Sequence, residues 1–191
     1  MINKKFNSNL VLEQFADNPF LPKFYENQEQ YAFPLEMAFL AARYNQLHRE
    51  LSRYDLSKSL TISDYYFMKS LIFAKNTLKD DEYSLYHQFF TIIYDKIPKP
   101  DLYVYLHKDT DLLLKNIYFR GRSYESHITR DYLDKITEGY LNYFGQQNDI
   151  PILNIDTNLL DFAHKPEDFE KITDVIFNRQ YNKGVTRILL A

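Results

Sequence analysis

The chain contains no cysteine, no tryptophan and only four glycines in 191 residues. Without cysteine, disulfides, thiolate zinc sites and a cysteine nucleophile are excluded together, a composition compatible with a cytosolic enzyme. The glycines are Gly121, Gly139, Gly145 and Gly184, and no two are five apart. A phosphate-cradling G-x-x-x-x-G-K-[ST] loop is therefore absent from this chain. No apolar run of about 18 residues and no signal-like start is found, so a soluble, cytoplasmic protein without membrane contact is expected. An excess of one charge is also lacking: 23 Lys and Arg face 26 Asp and Glu, a net charge of −3. That balance argues against a nucleic-acid partner. The histidines, at 48, 87, 107, 127 and 164, show no ligand-like spacing, so no protein metal cage is expected.

What is present is apolar and aromatic. Hydrophobic residues make up 45% of the chain, with 17 Tyr and 15 Phe, enough to fill the core of one domain spanning 1–191. Leu10–Glu13 reads as a buried strand, and a turn-rich stretch with one short helix follows. Gln28 to Arg53 reads as a long helix, with Phe33, Met37, Leu40, Tyr44 and Leu47 at spacings of three and four and Pro34 disturbing its first turns. Ser59–Ser63 is the second strand. Two helices follow, one from Asp64 to Leu78 and one ended by IPKP. Asp101–His107 is a strand, 109–119 and 129–144 are helices, Pro151–Asp156 is a strand, Pro166 to Asn182 a helix, and VTRILL a last strand. Strands alternate with helices and several are continuously apolar, which predicts an α/β fold with a mainly parallel sheet. In such sheets the working residues gather at the carboxyl ends of the strands. Glu13, Asp64 and Asp156 are acids at or just after three of them. RGRSYES, 120–126, adds two arginines, whose forked donors suit phosphate oxygens.

These residues resemble the deoxynucleoside kinases, the thymidylate-kinase-related P-loop kinases that phosphorylate the 5′-hydroxyl of a deoxynucleoside. The resemblance runs through LVLEQFADNPFLPKFYEN, YAFPLEMAFLAARYNQL, SDYYFMKSLIFAKNTL, PDLYVYLHKDTDLLLKNIYFRGRSYES and ILNIDTNLLDF. It implies a three-layer α/β/α kinase fold, ATP and Mg²⁺ as cofactors, a deoxynucleoside substrate and a homodimer. It also implies roles. Glu13 takes the 5′-hydroxyl proton, Tyr25 and Glu125 hold the sugar 3′-hydroxyl, and Arg120 and Arg122 belong to a lid around 120–127 that closes on the transferred phosphoryl group. Asp156 to Phe162 borders the adenine of ATP. Arg43 matches the arginine on the base side, Asp64 the acid that organises Mg²⁺ through water.

The departures are specific. The family's first strand and glycine-rich loop have no counterpart, and MINKKFNSN resembles the tail of the helix that follows the loop. About 20–30 residues are therefore expected to be missing in front, by truncation of the gene or the expressed chain. A longer fusion to a pterin pyrophosphokinase and a non-catalytic nucleoside-binding module are the alternatives. No arginine follows Asp64, where the sequence reads Ser63-Asp64-Tyr65. Glu36 stands at the position of a base-reading glutamine, and an acceptor-only carboxylate favours a base that presents donors. Lys69 falls near a base-side acid; Glu36 and Lys69 either pair or mark a changed base preference.

Overall fold

The computed structural model describes residues 1–13, 18–51 and 60–190. Asp17 of the DNPF block, Arg53 at the expected end of the long helix and Ser59 at the expected start of the second strand lie outside them. The chain groups into two compact units, Met1–Pro98 and Lys99–Ala191. Each has its own parallel sheet and its own helices, so the expected α/β class and parallel pairing are observed.

The first unit runs α1 (Ile2–Phe6), β1 (Asn9–Val11), α2 (Leu21–Glu26), α3 (Gln28–Leu51), β2 (Thr61–Ser63), α4 (Lys69–Thr77) and α5 (Asp80–Tyr94). α1 stops at Asn7, which takes a left-handed conformation (φ 45°) that asparagine tolerates better than most residues. β1 and β2 pair in parallel with Leu10 opposite Ile62 and Val11 opposite Ser63. α3 starts where Asn27 Oδ1 accepts from the Gln30 N–H at 3.2 Å, a side-chain cap for an otherwise orphaned donor. Pro34 lies inside α3, which continues through it to Leu51. Phe24, Ala32 and Leu35 form a buried cluster between α2 and α3. α5 opens on Asp80, Asp81 and Glu82, acids that suit the positive end of a helix, and seats Tyr86 and Phe90 in the core.

α4 begins five residues later than the pattern predicts. Tyr65, Tyr66, Phe67 and Met68 are all buried. Four consecutive buried side chains cannot share one face of a helix, so the segment enters the core as irregular chain and the helix starts at Lys69.

The second unit runs β3 (Tyr103–His107), α6 (Thr110–Arg120), a 3₁₀ turn (Ser123–Glu125), α7 (Arg130–Gln146), β4 (Pro151–Asp156), α8 (Pro166–Phe177) and β5 (Gly184–Leu189). β4 is central, parallel to β3 and β5, with Ile152, Leu153 and Ile155 fully buried. Ile172 and Val175 of α8 close over Leu153, Ile155 and Leu160. α8 ends at Phe177, five residues short of the expected Asn182. The chain turns back instead, and the Tyr181 hydroxyl donates to the Val175 carbonyl at 2.6 Å. α6 ends at Gly121, whose φ of +68° only glycine adopts readily.

Candidate active site

In the first unit, β1 delivers Glu13 two residues beyond its last paired position. Two cations meet this carboxylate. Arg43 of α3 forks onto Oε1 through Nε at 2.7 Å and Nη2 at 2.6 Å, and Lys69 of α4 donates to Oε2 at 2.6 Å. Burial alone would push the Glu13 carboxyl up, but Arg43 and Lys69 outweigh it and hold the group below its ordinary value. A carboxylate offers about four lone pairs. The two cations use three, which leaves one position, on Oε2 beside Lys69, for a further donor among the described residues.

Arg43 itself is almost fully enclosed. Its Nη1 donates to Ser70 Oγ at 2.8 Å and its guanidinium lies 4.9 Å from the centre of the Phe39 ring. Glu36, Arg43 and Gln46 follow at spacings of seven and three, so α3 turns all three to one side, and all three are buried. Glu36 Oε1 accepts from the Thr77 hydroxyl at 3.1 Å, while Oε2 is buried without a hydrogen-bond partner among the described residues. Burial pushes this carboxyl up to about 7, against the opposing pull of Arg43, the Thr77 hydroxyl and Lys69. Lys69 thus pairs with Glu13, and of the two outcomes expected for Glu36 and Lys69, direct pairing is not the one observed.

Asp64 follows β2 and accepts from the Glu13 backbone N–H at 2.8 Å through Oδ1. Tyr65, which follows Asp64 in place of an arginine, is buried with its hydroxyl 3.3 Å from Gln46 Oε1. Tyr25 sits on α2 against the Phe24, Ala32 and Leu35 cluster, its ring 5.4 Å from that of Phe24. The first unit therefore brings together Glu13, Glu36, Arg43 and Asp64, with Tyr25 on the neighbouring α2.

In the second unit, Gly121 reverses the chain after Arg120 so that Arg122 and Glu125 return beside it. Arg120 donates to Glu125 Oε2 from Nε at 3.0 Å and Nη2 at 2.7 Å, and Arg122 Nη1 donates to Oε1 at 3.1 Å. Glu125 is buried, whereas the side chains of Arg120 and Arg122 are 47% and 34% exposed. The Arg120 guanidinium thus keeps donors on its solvent side. Asp156 ends β4 and accepts from the Asn158 N–H at 2.9 Å. Phe162 packs against the core around Leu153 and Leu160.

Three participants were not foreseen as such: Lys69 as the partner of Glu13, Thr77 as the donor to Glu36, and Ser70 behind Arg43. Lys69, Phe73 and Thr77 form an i, i+4, i+8 row on α4, a spacing visible in the sequence. Among the described residues no group of three or more His, Cys, Asp or Glu could hold a metal ion, and no helix is long and apolar enough to cross a membrane. A substrate-borne Mg²⁺ held through water needs only one free carboxylate oxygen, and the exposed Asp64 fits that requirement.

A family model described as deoxynucleoside kinase matches residues 1–180. The deoxyguanosine kinase of Bacillus subtilis is 32% identical over 176 residues, covering 90% of this chain and 85% of that protein. The deoxyguanosine kinase of Lactobacillus johnsonii is 30% identical, covering 96% and 86%. The structure of deoxyadenosine kinase from M. mycoides with bound dATP superposes with a TM-score of 0.76 at 24% identity, covering 92% of this chain and 89% of that one, which shows a shared fold. On the family match and on these relatives, the chain belongs to the deoxynucleoside kinase family.

Proposed function

We propose that this chain is a deoxynucleoside 5′-kinase that takes the γ-phosphoryl group from MgATP, acting in the cytoplasm as a homodimer. The observation that carries the reading is the Glu13 carboxylate at the end of β1, ionised, fixed by Arg43 and Lys69, and with one lone pair left for a hydroxyl. The 5′-hydroxyl donates to that position. Its oxygen forms a bond to the γ-phosphorus as the bond from phosphorus to the β,γ-bridging oxygen breaks, its proton passes to Glu13, and ADP departs. A carboxylate of lowered pKa is a weak base, but in a loose transition state the hydroxyl loses its proton late, when it has become acidic. Asp64 is assigned to Mg²⁺ through water, and Arg120 and Arg122 to the phosphates, where positioned positive charge supplies most of the catalysis. Tyr25 and Glu125 are assigned to the sugar, Glu36 and Arg43 to the base, and the segment Asp156 to Phe162 to the adenine of ATP. The names of the Bacillus and Lactobacillus relatives support a purine deoxynucleoside as substrate. For the dimer, support comes from Leu85, Phe89 and Ile92, an exposed apolar stripe at i, i+4 and i+7 on α5.

The test is Glu13→Gln, assayed for transfer from MgATP to each deoxynucleoside. Turnover is expected to fall on the order of 100-fold or more, with nucleoside binding kept within a few-fold. Unchanged turnover would remove Glu13 from the role of base.

A further inference from the structure

The acid that stands on the base side carries an unspent oxygen. Glu36 is 3% exposed, and among the described residues Oε2 has no hydrogen-bond partner although Oε1 does. Buried carboxylate oxygens are met by donors in almost all folded proteins, so an oxygen in this condition is suited to a ligand edge. The surrounding groups do not supply the missing partner. Arg43, on the same helix, and Lys69 of α4 are committed to Glu13, and Tyr86 of α5 donates to the Ser70 carbonyl. The charged and titratable groups that act on Glu36 are thus Arg43, Lys69, Glu13 and Tyr86.

Its one partner serves both protonation states. Thr77 Oγ1 is 3.1 Å from Glu36 Oε1 and 3.0 Å from the Phe73 carbonyl. A hydroxyl has one proton and two lone pairs. Beside an ionised Glu36, Thr77 donates to Oε1. Beside a neutral Glu36 whose proton sits on Oε2, it goes on donating to the Oε1 carbonyl oxygen, which leaves the acid proton for a ligand. Neither state leaves Thr77 unsatisfied, so the site holds an acid or a carboxylate without rearrangement.

We propose that Glu36 chooses between guanine and adenine deoxynucleosides by its own ionisation. This rests on the assignment of Glu36 to the base made above. The carboxylate accepts from N1–H and N2–H₂, the two adjacent donors of guanine. Facing adenine, a carboxylate opposes the N1 lone pair. The neutral acid corrects this: it donates to adenine N1 from one oxygen and accepts from N6–H₂ on the other. The protein is therefore guanine-selective when Glu36 is ionised and accepts adenine when it is protonated. Because burial brings the group to about 7, the exchange falls near neutral pH.

The experiment is calorimetric binding of deoxyguanosine and deoxyadenosine to the full chain and to Glu36→Gln, at about pH 6 and about pH 8, a range in which both bases stay neutral. Two pH units across the ionisation change the ratio of the two forms about 100-fold. The preference for deoxyguanosine over deoxyadenosine is expected to rise tenfold or more with pH, and deoxyadenosine binding at about pH 8 is expected to take up a proton. In Glu36→Gln, whose amide both donates and accepts, the ratio becomes independent of pH. Thr77→Val, which removes the donor to the carboxylate, moves the change to higher pH. A ratio flat with pH in the wild-type chain, or one that stays pH-dependent in Glu36→Gln, overturns this inference and leaves the kinase assignment standing. Failure of every deoxynucleoside to bind overturns both.

Discussion

The backbone N–H of Glu13 donates to the Asp64 carboxylate at 2.8 Å, so the chain leaving β1 is fastened by a side chain from the end of β2. The base assigned to the 5′-hydroxyl is thereby held from behind by the acid assigned to Mg²⁺. Asp64→Asn keeps an oxygen acceptor and loses the charge. Its melting temperature is expected to stay within about 2 °C of wild type, while turnover falls about tenfold or more for want of the charge near the metal. Asp64→Ala removes the acceptor as well and should cost about 1 kcal/mol. Wild-type turnover in Asp64→Asn would take Asp64 out of the chemistry.

Two acids of the first unit, the buried Glu36 and the half-buried Glu13, act on stability with opposite sign. Glu36 is raised in the folded chain from 4.5 to about 7. Between those values the folded state holds a proton that the unfolded chain has released, so its stabilising effect is lost as pH rises from about 4.5 to about 7. Glu36→Gln does not titrate. Denaturant unfolding should show the variant gaining on wild type by up to about 3 kcal/mol between about pH 5 and about pH 8, with no further change above. Equal pH profiles for the two proteins would place the Glu36 carboxyl near its ordinary range.

Glu13 runs the other way. Its folded value lies below 4.5, so its contribution is present at neutral pH and disappears as pH falls through the lowered value. In Glu13→Gln the buried Arg43 loses its counter-charge, and at neutral pH the variant should be less stable by about 3 kcal/mol. The difference should shrink in acid, and unfolding measured at about pH 7 and about pH 3 would reveal it.

Arg120 reaches Glu125 with two nitrogens and Arg122 with one. A lysine at 120 keeps the charge but cannot reproduce the fork. Arg120→Lys is expected to lower turnover about tenfold with stability within about 1 kcal/mol, since the side chain is half exposed. A change of melting temperature without a change of turnover would make the cluster a structural clasp.

Much of the fold is legible in the chain because it rests on local patterns. β4 lies where it is expected, from Pro151 to Asp156, because a proline and an acid bracket a run that is apolar apart from Asn154. α3 is found despite Pro34 because its apolar spacing persists on both sides of the proline. The misplaced boundaries depend on distant contacts. Nothing in Asn178–Asn182 forbids helix; the turn there is fixed by the hydrogen bond from Tyr181 to Val175. The site divides the same way. Glu13, Asp64 and the arginine pair are marked by their places at strand and helix ends. The Lys69–Glu13 contact joins residues 56 apart, and the near-neutral value of Glu36 follows from burial that no spacing reveals.

Gly121 shows what kind of constraint sets the arginine pair. A Cβ added there would meet nothing within 4 Å, so the obstacle to substitution is the positive φ alone and not crowding. The requirement is thus one of handedness. L-alanine at 121 would strain the backbone by about 1 kcal/mol, whereas D-alanine, introduced by chemical ligation, has its preferred conformation there. The mirror-image residue would rigidify the bend between Arg120 and Arg122 without moving either guanidinium, which separates the shape of the turn from its freedom to flex.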